Sequence, residues 1–196
     1  MLVREVMTSP AVTVQEDDTV RYAAELLLHH RIASAPVVDA GGRLVGIVSE
    51  ADLLRGRTQR DPRAHLTPPP EEPVTDRPAS AVRDVMSTRP LSVRAGADVD
   101  DAARMLLDHG IKAAPVVEGG RVVGVVARRD LLRSFARPDD DIRRDVLTLL
   151  EELGQGSDWQ VDVEDGVVHL LSPGGEPRQR IAAVLARTVP GVVRVV

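Results

Sequence analysis

"REVMTSPAVTVQEDDTVRYAAELLLHHRIASAPVVD", Arg4 to Asp39, has a second copy in the chain: "RDVMSTRPLSVRAGADVDDAARMLLDHGIKAAPVVE", Arg83 to Glu118. The offset is 79, placing Met86 on Met7 and Pro115 on Pro36. One residue is lost between the turns "DAGGR" and "EGGR", so the offset becomes 78 and Asp130 falls on Asp52. Within each copy, "VM" precedes a short strand, "AVTV" or "PLSV". A helix then opens at Thr19 or Asp98, both good N-cap residues. Val20, Ala23, Ala24 and Leu27 return at helical spacing. Gly110 reads as a helix stop, and Arg31 is its weaker counterpart. "APVVD" and "LVGIV" are short apolar strands around a Gly-rich turn, a hairpin signal. A closing helix follows from Ser49 or Ala127. Each copy is therefore β-α-β-β-α, and a unit of about 50 residues is too small to bury much surface alone.

The composition bounds what such a chain can be. Its 196 residues are 43% apolar and 28% charged, those of a soluble globular protein. No run of eighteen apolar residues and no signal peptide are visible, which gives a cytoplasmic expectation. Cysteine is absent, excluding disulfides, thiolate metal sites and a cysteine nucleophile. The net charge is −5, of which residues 137–196 contribute −4 through seven Arg against eleven Asp and Glu. That balance, with only Tyr22, Phe135 and Trp159 as aromatics, argues against nucleic acid as a partner. Between the copies, Gly56 to Ser80 holds six prolines and many charges, the composition of a connector.

The doubled motif resembles a tandem pair of CBS domains, the modules named after cystathionine β-synthase. The carrying residues are the "VM" start, "APVV" and the "GIVSEADL" and "GVVARRDL" corners, over residues 1–136. The resemblance implies an α+β fold in which two β-α-β-β-α repeats pack as a pseudo-symmetric Bateman module, a homodimer of such modules, and a regulatory role. Adenosine-containing ligands (AMP, ADP, ATP or S-adenosylmethionine) would bind clefts between the paired copies. The expected organisation is repeat 1 over 1–56, linker 57–80, repeat 2 over 81–136 and a further domain over 137–196.

The corners "VGIVSEADLLRG" (Val45–Gly56) and "VGVVARRDLLRS" (Val123–Ser134) carry the candidate site. Ser49 and Asp52 alone make nearly a capping box, which explains the first corner without a ligand. The second keeps Asp130 although Ala127 cannot cap, and adds Arg128 and Arg129 at the positive end of a helix dipole. An anion would reverse that unfavourable charge. A nucleotide supplies a diol for the carboxylate and a phosphate for the arginines. The alternative for Arg128 and Arg129 is a solvated face or an ion pair with the acidic C-terminal region. By the resemblance, Ser49, Asp52 and Asp130 contact ribose or phosphate, and Ala127 departs from the pattern. Ile32, Ala33, Ala35 and Pro36 in "RIASAPV", and Ile111, Lys112, Ala114 and Pro115 in "GIKAAPV", are candidate walls for a flat base. Plain strand packing is the alternative for each. Thr13 and Ser92, on the first strands, are weaker candidates.

In the last sixty residues, "PDDDIRRDVLTLLEELG" reads as a helix with an apolar stripe of Ile142, Val146, Leu149, Leu150 and Leu153. "WQVDVEDGVVHLL" is a hairpin around Asp165-Gly166. A helix from about Pro177 and the strand "VVRVV" follow. This α-β-β-α-β order resembles a BON domain, carried by Asp141-Ile142, "VDVEDGVV" and "IAAVLARTVPGV"; Ser172 stands where a glycine is expected. The resemblance implies phospholipid or protein contacts, and the acidic balance makes lipid the poorer fit. No catalytic or metal-binding constellation is visible, and no cofactor is required. The alternative to a nucleotide sensor is a ligand-independent dimerisation scaffold whose C-terminal domain docks a protein or lipid partner.

Overall fold

The computed structural model describes residues 1–55, 57, 79–152, 154, 158–171 and 176–196. Most of the expected linker, together with Leu153 and Ser172, lies outside the described residues. Backbone contacts divide the chain into two compact units, one of Met1–Ser9, Val93–Val116 and Gly124–Val196, the other of Pro10–Ser92 and Val117–Val123.

The second of these units holds most of the first repeat. β1 (Val14–Gln15) pairs in parallel with β2 (Ser34–Val38), which pairs antiparallel with β3 (Leu44–Ser49). α1 (Val20–His30) connects β1 to β2 and α2 (Glu50–Leu54) follows β3. Thr19 caps α1, its hydroxyl accepting from the Tyr22 N–H at 3.1 Å. Val20, Ala23 and Leu27 recur at helical spacing and are buried. Burying a leucine such as Leu27 contributes about 1.5–3 kcal/mol relative to leaving it exposed. Arg31 ends the helix in the left-handed conformation, φ 53°, the place usually given to glycine. The sheet gains a strand not expected from the sequence: β4 (Ser87–Thr88) pairs with β3, Gly46 opposite Thr88. The Val82 N–H donates to the Asp18 carbonyl at 2.8 Å, anchoring the stretch before β4 on the first repeat.

The other unit carries most of the matching arrangement, all but the hairpin tip Val117–Val123. β5 (Val93–Arg94), α3 (Val99–Asp108), β6 (Ala113–Glu118), β7 (Arg121–Ala127) and α4 (Arg128–Phe135) follow in order, with a β5-β6-β7 sheet. Here the chain's N-terminal stretch plays the part of β4. Val3 N–H bonds to the Ala97 carbonyl at 2.9 Å, and Thr8 and Val125 exchange two backbone bonds of 2.9 and 3.0 Å. The "VM" segment ahead of each repeat therefore packs on the other repeat's hairpin. Thr13 and Ser92 fall immediately before β1 and β5, a correction to their expected place on the strands, because these strands have only two residues each.

The same unit contains α5 (Asp139–Glu152), β8 (Gln160–Glu164), β9 (Val167–Leu171), α6 (Glu176–Ala186) and β10 (Arg194–Val195), in the expected α-β-β-α-β order. The sheet order is β10-β9-β8, with β10 parallel to β9 and β8 antiparallel to it. One core joins Ile142, Val146 and Leu150 of α5, Val161, Val168, Leu170 and Val195 of the sheet, and Ala182 and Ala186 of α6. Alternation in β8 and β9 sends these side chains to one face, where both helices pack. The Asp165-Gly166 turn has φ of 49° and 73°, as a type I′ hairpin needs. Asp139 does more than favour the α5 dipole: its carboxylate accepts the Asp165 and Gly166 N–H groups, both at 2.9 Å. Arg178 pairs with Asp158 at 2.7 Å and lies over the Trp159 ring, 5.1 Å from its centroid. Its hydrogen bond, and secondly a backbone one, hold the Asp158 carboxyl below the ordinary carboxylate range.

Candidate functional site

The first corner is built where β3 runs out. Ser34 is registered opposite Ser49, and the Glu50 N–H donates to the Ala33 carbonyl at 3.0 Å, fixing the start of α2 against the lead-in to β2. Ser49 is extended, φ −119° and ψ 165°, and caps α2. Its hydroxyl accepts from the Asp52 N–H at 3.3 Å and donates to Asp52 Oδ2 at 2.6 Å, while the Ser49 N–H donates to the same oxygen at 3.0 Å. Asp52 Oδ2 is thus fully used. Oδ1 is approached only at 3.8 Å, by an Arg55 guanidinium that is 78% exposed, while the Asp52 side chain is 12% exposed.

The second corner repeats this backbone with different side chains. Ala127 has φ −118° and ψ 156°, and the Arg128 N–H donates to the Lys112 carbonyl at 3.0 Å, as Glu50 does to Ala33. Asp130 Oδ2 accepts from the Ala127 N–H at 3.0 Å, so the carboxylate half of the box persists without its serine. Oδ1 faces Arg133 at 3.4 Å, and the Asp130 side chain is 4% exposed. Arg55 and Arg133 were not anticipated; the shared "DLLR" spelling, an acid three residues before an arginine on a helix, was the available signal.

Arg128 does not reach over its own helix start. Its Nη2 donates to the Leu106 carbonyl at 2.8 Å, in the last turn of α3, where a cation offsets the negative end of the dipole. Its Nε is buried with no hydrogen-bond partner among the described residues. Neither a solvated face nor an ion pair with the C-terminal region describes it. Arg129 is exposed and makes no ion pair among the described residues.

The remaining candidates separate by exposure. Ala35, Pro36, Ala114 and Pro115 are buried within β2 and β6. Ile32 and Ile111 are half-buried, Thr13 is half-buried, and Ala33, Lys112 and Ser92 are exposed. Among the described residues no group of three or more His, Asp or Glu side chains could hold a metal ion. His109 Nδ1 lies 3.1 Å from the Met105 carbonyl at the end of α3, a helix-end role. No described helix is long and apolar enough to cross a membrane.

Paired β-α-β-β-α repeats with an acidic strand-to-helix corner in each define a class of regulatory module. The CBS domain model matches residues 3–58 and 82–137, and the chain belongs to the CBS-domain family as a tandem pair. The CBS domain-containing protein YhcV of Bacillus subtilis is 31% identical over 129 residues, 66% of this chain and 81% of that protein. The crystal structure of CBSX2 of Arabidopsis thaliana in complex with AMP matches with a TM-score of 0.55 and 28% identity, over 68% of this chain and 94% of that one. The CBS pair of protein MJ0100, in complex with 5′-methylthioadenosine and S-adenosyl-L-methionine, gives 0.56 and 26%, over 69% and 95%. The chain spans 57% of full-length chloroplastic CBSX2. YhcV and CBSX2 are named for their domain and not for a reaction, and the CBS pair is a regulatory domain. Residues 138–196 lie beyond the family match.

Proposed function

We propose that the chain is a cytoplasmic sensor that binds an adenosine-containing ligand at its two strand-to-helix corners. The observation that carries this reading is the shared state of Asp52 and Asp130. Each has one oxygen locked by its own helix start and a second met only by a loosely placed arginine. Once Arg55 or Arg133 swings aside, the remaining oxygen of each carboxylate can accept a ribose hydroxyl in a position already fixed by the helix start. The AMP-bound and S-adenosylmethionine-bound neighbours support the ligand class. Ile32 and Ile111 would pack on the base, with the backbone beside Ala33 and Lys112 reading its edge. Ser49, Thr13 and Ser92 are the candidate phosphate or ribose hydroxyl partners. Arg129, free on the surface, suits a phosphate better than Arg128 does.

The test is titration calorimetry with AMP, ATP and S-adenosylmethionine. We expect binding by at least one, with Asp52→Ala and Asp130→Ala each weakening its own site about 10–100-fold, the loss of a hydrogen-bonded charged acceptor. No heat with any of the three ends the reading.

The scaffold role has its own observation. Leu28 and Leu107 are repeat-equivalent and 75% and 63% exposed; Leu54 and Leu132 are also equivalent, at 60% and 66%. Duplicated apolar side chains left in water on repeat-related helices are suited to a homodimer interface. Leu107→Glu with Leu132→Glu should convert a dimer to a monomer in light scattering; a wild-type monomer at all accessible concentrations would remove the dimer from this account. The expected bounds, repeats over 1–56 and 81–136 with linker 57–80, complete the reading. Residues 137–196, with their α-β-β-α-β order, form a BON-like interaction module.

A further inference from the structure

The C-terminal segment is acidic, yet the exposed apolar side chains on the outer face of α6 have two arginines beside them, against one acid, Glu176. Of its seven arginines, Arg137, Arg143, Arg144 and Arg178 each pair with an aspartate of the same segment. Arg180 and Arg187 make no ion pair among the described residues. Along α6, positions 177, 181 and 184 share a face at helical spacing, with 180 on one edge of it; 187 follows in the turn immediately after the helix, its N–H donating to the Ala183 carbonyl at 3.4 Å. Ala182 and Ala186 on the opposite side fill the core. Ile181 and Val184 stay 52% and 57% exposed, and a shallow groove runs along Pro177, Arg180, Ile181, Val184 and Leu185.

We propose that this outer face of α6 docks an acidic amphipathic helix of a partner protein, whose apolar residues seat on Ile181 and Val184 and whose carboxylates meet Arg180 and Arg187. The proposal rests on reading residues 137–196 as an interaction module and supplies the chemistry of its partner. Charge decides among occupants. A second copy is disfavoured, because two α6 helices packed antiparallel about a twofold set Arg180 of one against Arg187 of the other. An anionic bilayer is disfavoured, because among the described residues of this face only Ile181 and Val184 are large, apolar and exposed enough to insert. A single helix bearing i, i+3, i+4, i+7 apolar residues fits a groove of this kind.

The test uses the full-length chain without nucleotide and a displayed library of amphipathic helical peptides of about 18 residues, with acidic, neutral and basic flanks equally represented. Enrichment of acidic peptides is expected, with affinity for the best synthetic peptide falling at least about tenfold in Arg180→Glu/Arg187→Glu and in Val184→Asp. Circular dichroism and melting of these exposed-site variants confirm that they fold. Enrichment of neutral or basic peptides, or affinity indifferent to the charge reversal, overturns the proposal while leaving the module. Absence of any enriched peptide overturns both. Vesicles of phosphatidylserine and phosphatidylcholine that bind the wild type but not the double variant assign the face to lipid instead, and association of the chain lost in that variant assigns it to self-pairing.

Discussion

Alanine at Gly124 is expected to destabilise the protein by about 2–3 kcal/mol, lowering the melting temperature by about 4–10 °C for a chain of this size. Gly124 is buried, and a Cβ there would meet Met7 Sδ at 2.6 Å and the Thr8 carbonyl oxygen at 2.9 Å. The methionine is flexible and can move. The carbonyl cannot, because Thr8 and Val125 hold each other by two backbone hydrogen bonds. Gly46 repeats the situation, with Met86 Sδ at 2.6 Å and the Ser87 carbonyl at 3.0 Å. Neither glycine has a positive φ; the requirement at both is close approach of another chain segment. Met7→Ala added to Gly124→Ala separates the two contributions, and less than half of the loss should return if the carbonyl dominates. Gly124→Ala melting within 1 °C of wild type would mean that the N-terminal stretch does not lie against β7.

That cross-packing is the part of the fold the sequence could not display. The repeat, its helices and its hairpins are written in local signals: Thr19 and Asp98 as caps, the apolar spacing of α1, the turn glycines, and the Asp165-Gly166 hairpin. Each is decided by backbone sterics or nearest-neighbour burial. Which repeat a "VM" segment leaves to join is decided by space beside Gly46 and Gly124, and two identical motifs cannot declare which partner they choose. Arg31 shows the same limit on a smaller scale. The long side chain costs little at an exposed left-handed helix end, so Gly110 was legible as a stop and Arg31 less so.

The two candidate corners were legible in the capping of their carboxylates and not in the placement of their cations. Ser49, Asp52 and Asp130 act over three residues, and spacing reveals that. Arg128 serves a carbonyl 22 residues away, at the end of α3, a partner no local pattern names. Ala35 and Ala114 illustrate the converse: small residues before a proline admit a ligand or a close-packed sheet equally well, and both are fully buried in their strands.

Alanine at Gly191 should cost about 2–4 kcal/mol, concentrated in the C-terminal elements. Its φ is 97°, and a Cβ would meet Ile142 Cδ1 at 2.7 Å, Cγ1 at 3.0 Å and the Ser134 carbonyl at 3.1 Å. Ile142 is a core residue of α5, so it cannot swing away without opening the cluster it shares with Val146 and Leu150. Ile142→Val removes Cδ1, and the double variant should recover that part of the clash but retain the contacts with the γ-carbon and the Ser134 carbonyl and the penalty of the left-handed backbone. The same turn is clamped from the side of the second repeat. Arg137, two residues beyond α4, donates to the Pro190 carbonyl at 2.8 Å and pairs with Asp145 at 2.5 Å. α4 therefore carries the Asp130 carboxylate in its first turn and is followed directly by the arginine that holds the turn closing the C-terminal core. Amide exchange should rise in α5, β8, β9 and α6 of Gly191→Ala, while its affinity for any nucleotide found by the calorimetry proposed above stays within about twofold, as expected for well-separated sites. Unchanged exchange together with an unchanged melting temperature would refute the packing of Gly191 against Ile142. A nucleotide affinity that falls along with protection would show instead that α4 and the C-terminal core open as one unit.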